Sequence, residues 1–117
     1  MPNVSRISTD QLVRRLEQVS AFQFWNVLSD EYFKGELIPG SLRVPVDTVG
    51  REAGRLGLPQ NAEIIVYCAG PTCPSSTQAG ETLMALGYTN VKAYEGGLEE
   101  WKASGRPVAQ LMASGAE

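Results

Sequence analysis

The feature that most constrains this chain is an apolar run that ends in a cysteine. Residues 63–68 read EIIVYC, with branched apolar residues at 64, 65 and 66. A run of this kind is typical of a strand that is covered on both faces in a parallel sheet. A loop with glycine and proline follows at 69–74, and Ser75–Gln78 has the spacing of a capping box that opens a helix running to Leu86. We therefore expect residues 63–68 to form the central strand, followed directly by a tight loop and a helix.

Shorter segments with strand or helix periodicity lie on both sides of this unit. Apolar residues recur on one helical face after a capping box at Ser8–Gln11, which predicts a helix over about 9–19. Further patterns predict strands at 22–28, 41–45 (at a sheet edge) and 91–94, a short helical turn from Ser29 through Lys34, a weak helix at 47–56, and a last helix after Gly96 and Gly97. The alternation predicts an α/β fold in which helices flank a mainly parallel central sheet.

The size and charge of the chain limit its organisation and its partners. A chain of 117 residues and 12.6 kDa fits one domain, 1–117, with a tail at about 109–117 that we expect to be frayed. The net charge of −3 disfavours binding to nucleic acid. No apolar run is long enough to cross a bilayer, and the start does not resemble a secretory signal, so we expect a cytoplasmic protein with no membrane contact. We also expect a monomer.

The chain contains no histidine. This composition excludes Ser-His-Asp and Cys-His hydrolases, and the two cysteines, Cys68 and Cys73, cannot complete a four-ligand zinc site by themselves. We therefore predict neither a metal nor a cofactor. If the protein carries out chemistry, sulfur is the best candidate.

The loop after Cys68 has the composition of an anion-binding site. Backbone N–H groups in a tight loop that feeds a helix point inward and favour a thiolate, so we expect a lowered pKa and a nucleophilic Cys68. The loop contains no lysine or arginine, and the cations that the fold could bring near it are Arg43, Arg51, Arg55 and Arg106. The predicted site consists of Cys68 and the substrate-binding loop Ala69, Gly70, Pro71, Thr72, Cys73, Pro74, Ser75 and Ser76.

Several motifs, in a fixed order, resemble those of a single-domain rhodanese, a sulfurtransferase. The second half of the resemblance rests on Val66–Cys68, Leu86–Tyr88, Asn90–Val91, Gly96–Gly97, Trp101 and Gly105–Pro107. The first half rests on Tyr32, Gly35, Ile38–Ser41 and Val44–Pro45. Together these motifs cover about residues 7–108, the expected core. The resemblance implies a rhodanese-like three-layer sandwich with a central sheet of about five strands.

The resemblance also implies a mechanism. Cys68 would take a sulfane sulfur from thiosulfate, a polysulfide or a protein persulfide, carry it as a persulfide, and pass it to cyanide or a thiol. The partners would be such small donors and acceptors or a sulfur-relay protein. Compared with the common family form, the loop is about two residues longer and lacks its arginine, and Asn26-Val27-Leu28 stands where the family often has Asp-x-Arg. Fewer charged contacts disfavour thiosulfate as the donor.

Cys73 and the alternative functions remain open on the sequence. Cys73, five residues after Cys68, is either a packing residue or a resolving thiol that forms a disulfide with Cys68. Cys68 itself could be a buried structural cysteine. A phosphatase is excluded because Pro74 stands where an arginine would be needed, and the spacing excludes a CxxC redox site. The remaining alternative is a non-catalytic binding or redox-sensing module that uses Cys68 and Cys73.

Overall fold

The computed structural model describes residues 4–18 and 22–110. Within these ranges the chain forms α-helices at α1 (Thr9–Glu17), α2 (Val49–Leu56), α3 (Ser75–Ala85) and α4 (Gly97–Ala103), with a 3-10 turn at Val46–Thr48. The strands are β1 (Ser5–Arg6), β2 (Gln23–Asn26), β3 (Glu36–Leu37), β4 (Leu42–Arg43), β5 (Glu63–Tyr67), β6 (Asn90–Tyr94) and β7 (Ala109–Gln110). No helix in the described ranges is both long and apolar enough to cross a membrane.

The central sheet is parallel and is built around β5. Its order is β1-β6-β5-β2-β4, and each neighbouring pair runs in the same direction. Val66 in β5 lies opposite Trp25 in β2 and Ala93 in β6. The predictions of a parallel sheet of five strands, of a central strand at 63–68 and of an edge strand at 41–45 are therefore confirmed.

The two faces of β5 contribute to two separate cores, because successive side chains of a strand point to opposite sides. On one face Ile65 packs in a cluster with Leu12 of α1 and Leu98 of α4. On the other face Val66 packs in a cluster with Leu83 of α3. The molecule is thus a three-layer sandwich with helices on both sides of the sheet, as predicted, and its central strand is buried throughout its apolar part.

The buried hydroxyl of Tyr67 connects the central strand to the chain segment before β4. It accepts a hydrogen bond from the N–H of Ile38 at 2.8 Å and shares another with Ser41 Oγ at 2.7 Å. Nearby, the amide of Asn26 donates to the carbonyl of Glu36 at 3.1 Å and accepts from the N–H of Leu28 at 3.1 Å. Asn26 therefore ties the end of β2 to β3.

The helices lie where the sequence predicts them, with differences at the end of α1 and the start of α3. The capping box at Ser8 and Gln11 is present, and α1 ends at Glu17, while residue 19 lies outside the described residues. The capping box predicted at Ser75–Gln78 is wrong, because Pro74 precedes α3 and no side chain caps the helix. Ser75 and Ser76 are instead turned inward and buried.

The segment after β2 forms the predicted short turn. Between Ser29 and Lys34 the chain makes a single turn, in which the N–H of Phe33 donates to the carbonyl of Ser29, and it then enters β3. At the end of the described chain, Ala109–Gln110 pair antiparallel with β3 as β7, and fraying of the tail stays a prediction. Residues 111–117 lie outside the described residues.

Candidate active site

Cys68 follows β5 directly and lies at the carboxyl end of the central strand. Its side chain is fully buried and belongs to the core cluster that contains Tyr67 and Tyr94. Ligands of open parallel α/β sheets bind beyond this end of the strands. The chain then turns, with the N–H of Cys73 donating to the carbonyl of Gly70 at 3.0 Å, and enters α3 at Ser75.

The start of α4 holds the first half of the cysteine loop. The N–H of Leu98 donates to the carbonyl of Cys68 at 3.0 Å, and the N–H of Glu99 donates to the carbonyl of Ala69 at 2.7 Å. Gly97 makes this contact possible, since its φ is +59° and a Cβ there would lie 2.4 Å from the Cys68 carbonyl oxygen and 2.8 Å from the Gly70 nitrogen. The backbone around Cys68 is therefore fixed by another element.

The sulfur of Cys68 faces the first residues of α3. The backbone N–H and the side chain of Ser76 both act to stabilise its negatively charged form. Ser76 is fully buried, and its Oγ is the one buried side-chain oxygen or nitrogen of the described residues that has no hydrogen-bond partner of ordinary geometry. Most buried polar groups are paired, so an unpaired hydroxyl beside a sulfur indicates a place for a further acceptor.

The two thiols differ in acidity. Burial, and next the hydrogen bond with Cys73, raises the pKa of the Cys68 thiol to about 11. Cys68 Sγ accordingly lies 3.3 Å from the carbonyl oxygen of Cys73, to which a protonated thiol donates. The sequence-based expectation of a lowered pKa at Cys68 is thus wrong for the resting protein, because desolvation outweighs the loop amides.

The pKa of Cys73 is shifted in the opposite direction. Burial acts to raise it, but hydrogen bonds from the Cys68 thiol and from the backbone amides of Ala69 and Ser75 outweigh burial and lower it. Cys73 is also only half-buried. Of the two sulfurs, Cys73 is therefore the one that is both more acidic and more accessible.

An open cleft lies above the loop. Its larger part has a volume of about 560 Å³, and its walls are Leu28, Ser29, Tyr32, Lys34, Val46, Ala69, Thr72, Cys73, Pro74, Ser75 and Gln78. A smaller part of about 270 Å³ shares some of these walls and adds Glu36, Leu98, Glu99 and Lys102. The total is within the usual size range of small-molecule sites.

The structure separates the predicted loop residues into three groups. Ala69, Thr72, Cys73, Pro74 and Ser75 line the cleft, whereas Cys68, Gly70 and Ser76 are buried below it. Pro71 is exposed and is not a wall of either part of the cleft. The loop residues that line the cleft therefore lie between the cleft and the Cys68 sulfur.

None of the four arginines named as candidates lines either part of the cleft. Arg43 is held by Asp30 at 3.0 Å and lies over the ring of Phe33, and Arg55 pairs with Glu52 on α2. Arg106 lies over the ring of Trp101, and Arg51 is exposed on α2. The nearest cationic walls are lysines instead.

Sequence reasoning missed the cleft residues that come from other elements. Leu28, Tyr32 and Lys34 follow β2, and Val46 begins the 3-10 turn after β4. Tyr32 and Leu28 entered the sequence comparison only as motif positions, and no motif includes Lys34 or Val46. The only available signal was that segments following the carboxyl ends of parallel strands surround the site, which would have pointed to the residues after β2.

Fold and site together define a small parallel α/β domain that presents a cysteine between its central strand and a helix. The family model for the rhodanese-like domain matches residues 8–104, and the chain belongs to this family. This family includes sulfurtransferases as well as domains without catalytic activity. Among the described residues no group of histidine, cysteine, aspartate and glutamate side chains has the arrangement of a metal site.

Solved structures agree with this assignment. The chain is similar to a crystal structure of a protein from Anabaena sp., with 28% identity, a TM-score of 0.78, and coverage of 92% of this chain and 94% of that chain. The solution structure of that protein's rhodanese-like domain has 27% identity, a TM-score of 0.78, and coverage of 100% and 89%. A rhodanese-like domain protein from Staphylococcus aureus has 28% identity, a TM-score of 0.69, and coverage of 84% and 91%. No curated protein matches the chain.

The two thiols should differ in their rates of alkylation. Near pH 7, iodoacetamide should modify Cys73 at least about tenfold faster than Cys68, because the thiolate is the reactive form and only Cys73 is accessible. The rate at Cys73 should rise as the pH approaches its lowered pKa and level off above it. Peptide mass spectrometry of timed samples gives both rates, and Cys73→Ser should leave one slow thiol. Equal rates at the two positions would contradict this account.

Substitution of Gly97 should disrupt the loop. Gly97→Ala adds a Cβ that overlaps the backbone of Cys68 and Gly70, so we expect unfolding free energy to fall by at least about 2 kcal/mol. Gly57→Ala is the matched control, because Gly57 has a similar φ of +65° with open space around its Cβ position. Chemical denaturation of both variants separates the steric effect from backbone strain. Similar losses in the two variants would show that the contact with the loop is unimportant.

Proposed function

We propose that this domain is a sulfurtransferase that carries a sulfane sulfur on Cys68. The observation that carries the proposal is the surroundings of the Cys68 sulfur: the Ser76 N–H and the unpaired, fully buried Ser76 hydroxyl both face it. A persulfide adds an outer sulfur that bears negative charge and accepts hydrogen bonds. Preorganised donors in a site shielded from water stabilise such a charge more strongly than water does.

The transfer needs no histidine. The Cys68 sulfur attacks the terminal sulfur of a donor R–S–SH, a bond forms between these two sulfurs, and the S–S bond of the donor breaks. The leaving R–S⁻ takes up the proton that Cys68 releases, so Cys68–S–SH and R–SH are the balanced products of Cys68–SH and R–S–SH. In the second half of the cycle, an acceptor such as cyanide or a thiol removes the outer sulfur.

The cleft favours a persulfide or polysulfide donor over thiosulfate. Lys34 is the only charged wall of its larger part, while Lys102 in the smaller part is hydrogen-bonded to Glu36 at 2.9 Å and lies near Glu99. Thiosulfate is a dianion that gains most from bidentate arginine contacts. The largely apolar walls and single lysine instead match the organic part of a persulfide or a polysulfide chain of low charge density.

Sulfur loading tests the proposal directly. The reduced protein is incubated with polysulfide or thiosulfate, freed of donor and analysed as intact protein and as peptides by mass spectrometry. We expect one added sulfur on Cys68 that cyanide removes, and loading from polysulfide at least about tenfold faster, since one missing charge-assisted hydrogen bond corresponds to about 1.5–3 kcal/mol. Cys68→Ser should abolish loading. If the wild type gains no sulfur from either donor, the non-catalytic binding or redox-sensing module becomes the better interpretation.

Ser76→Ala separates sulfur binding from structural support. Removing this buried hydroxyl should change the unfolding free energy by less than about 1 kcal/mol, because its contact with the Cys68 sulfur lacks the geometry of a full hydrogen bond. The rate of loading should nevertheless fall by about tenfold or more, since a donor to the outer sulfur is lost. A lower unfolding free energy with unchanged loading would assign Ser76 a structural role instead.

A further inference from the structure

The two cysteines differ in solvent accessibility. Cys68 is fully buried and is absent from the cleft walls, whereas Cys73 is half-buried and forms part of the wall. The Cys68 thiol donates a hydrogen bond to the carbonyl oxygen of Cys73, with Sγ 3.3 Å from that oxygen. A thiol that touches both the sheltered sulfur and the open cleft lies where it can act on a sulfur carried by Cys68.

The two ends of the cysteine loop are held by different helices. The carbonyls of Cys68 and Ala69 are fixed by α4, and Ser75 begins α3. Between them, Pro71 and Thr72 are exposed, and the turn that closes with the N–H of Cys73 on the carbonyl of Gly70 brings Cys73 back over Cys68. The carbonyl oxygen of Cys73 is 3.3 Å from Cys68 Sγ. A small movement of the exposed part of the loop can therefore bring the two sulfurs together while Cys68 stays in place.

We propose that Cys73 is a resolving thiol that discharges the Cys68 persulfide as hydrosulfide and forms a Cys68–Cys73 disulfide. The inference rests on the proposed function, since it needs a persulfide on Cys68. The Cys73 thiolate attacks Sγ of Cys68, the bond between Sγ and the outer sulfur breaks, and the outer sulfur leaves as HS⁻. An anionic outer sulfur first takes up a proton from water; Cys68–S–SH and Cys73–S⁻ then give the disulfide and HS⁻, with the sulfane sulfur itself as the two-electron oxidant.

The cycle then requires a reductant of a defined class. The sulfane sulfur has been reduced to hydrosulfide at the expense of the two cysteines, so a dithiol must reduce the disulfide before Cys68 can be loaded again. One dithiol molecule supplies two electrons and two protons and becomes a disulfide itself. The cleft above Cys73 gives such a dithiol access to the Cys73 sulfur. In this scheme the domain passes sulfane sulfur to solution as hydrosulfide and draws electrons from a small dithiol or a dithiol protein.

The acidity of Cys73 supports this direction of attack. Once Cys68 carries an outer sulfur, its Sγ has no hydrogen to donate, and the backbone amides of Ala69 and Ser75 are the groups that continue to lower the pKa of Cys73. The attacking species in thiol–disulfide exchange is the thiolate. Cys73 is the only thiol besides Cys68 in the chain, and it is therefore the attacking group of any internal discharge.

A single-turnover experiment tests the inference. The reduced wild-type protein and the Cys73→Ser and Cys73→Ala variants are loaded with polysulfide without oxygen, freed of donor and followed over time. Intact mass reports the added sulfur and the later loss of two hydrogens that marks a disulfide, and monobromobimane traps released hydrosulfide. In the wild type the added sulfur should give way to the disulfide with one equivalent of hydrosulfide, and dithiothreitol should restore loading. In both variants the half-life of the added sulfur should be at least about tenfold longer.

The outcomes separate the inference from the proposed function. If the added sulfur has the same half-life in wild type and variants and no disulfide forms, Cys73 is not a resolving thiol. The proposed persulfide on Cys68 is then unaffected. Loading of the wild type but of neither variant also overturns the resolving role, because Cys73 would then be needed for uptake. Absence of added sulfur and of disulfide in all three proteins overturns the proposed function and this inference with it.

Discussion

The contact between the start of α4 and the cysteine loop determines the arrangement of the site. The amides of Leu98 and Glu99 bind the carbonyls of Cys68 and Ala69, and this close approach depends on Gly97, where any side chain would overlap the loop backbone. With these carbonyls directed at α4, the Cys68 sulfur is directed at the first turn of α3. The fold thus uses one helix to orient the backbone and another to face the sulfur.

This arrangement has a cost in the resting protein that a persulfide would offset. Burial raises the pKa of Cys68 to about 11, and the Ser76 hydroxyl is buried without a hydrogen-bond partner. The raised pKa keeps Cys68 a neutral thiol near pH 7 and costs no stability there, whereas the buried hydroxyl is unfavourable because it has lost its contact with water. An outer sulfur on Cys68 would give the hydroxyl an acceptor.

The sequence predicted the architecture well because it depends on local patterns. The apolar run at 63–68 and the loop and helix after it were sufficient to locate the central strand and the cysteine. The protonation of Cys68 could not be predicted, since it depends on how far α3, α4 and the core exclude water. Lys34 was missed for a related reason: its place in the cleft follows from the turn after β2, and no motif marks it.

A crystal structure of the reduced protein after anaerobic loading with polysulfide tests most directly whether Cys68 carries a sulfane sulfur beside Ser76. We expect density for one extra sulfur on Cys68 Sγ, within hydrogen-bond distance of the Ser76 hydroxyl. The hydrogen bonds from the amides of Leu98 and Glu99 to the loop should be unchanged. Where the sample has discharged during crystallisation, the Cys73→Ser variant holds the loaded state. An extra sulfur on Cys73 in the wild type, or a Ser76 hydroxyl that makes no contact with the sulfur on Cys68, would contradict this expectation.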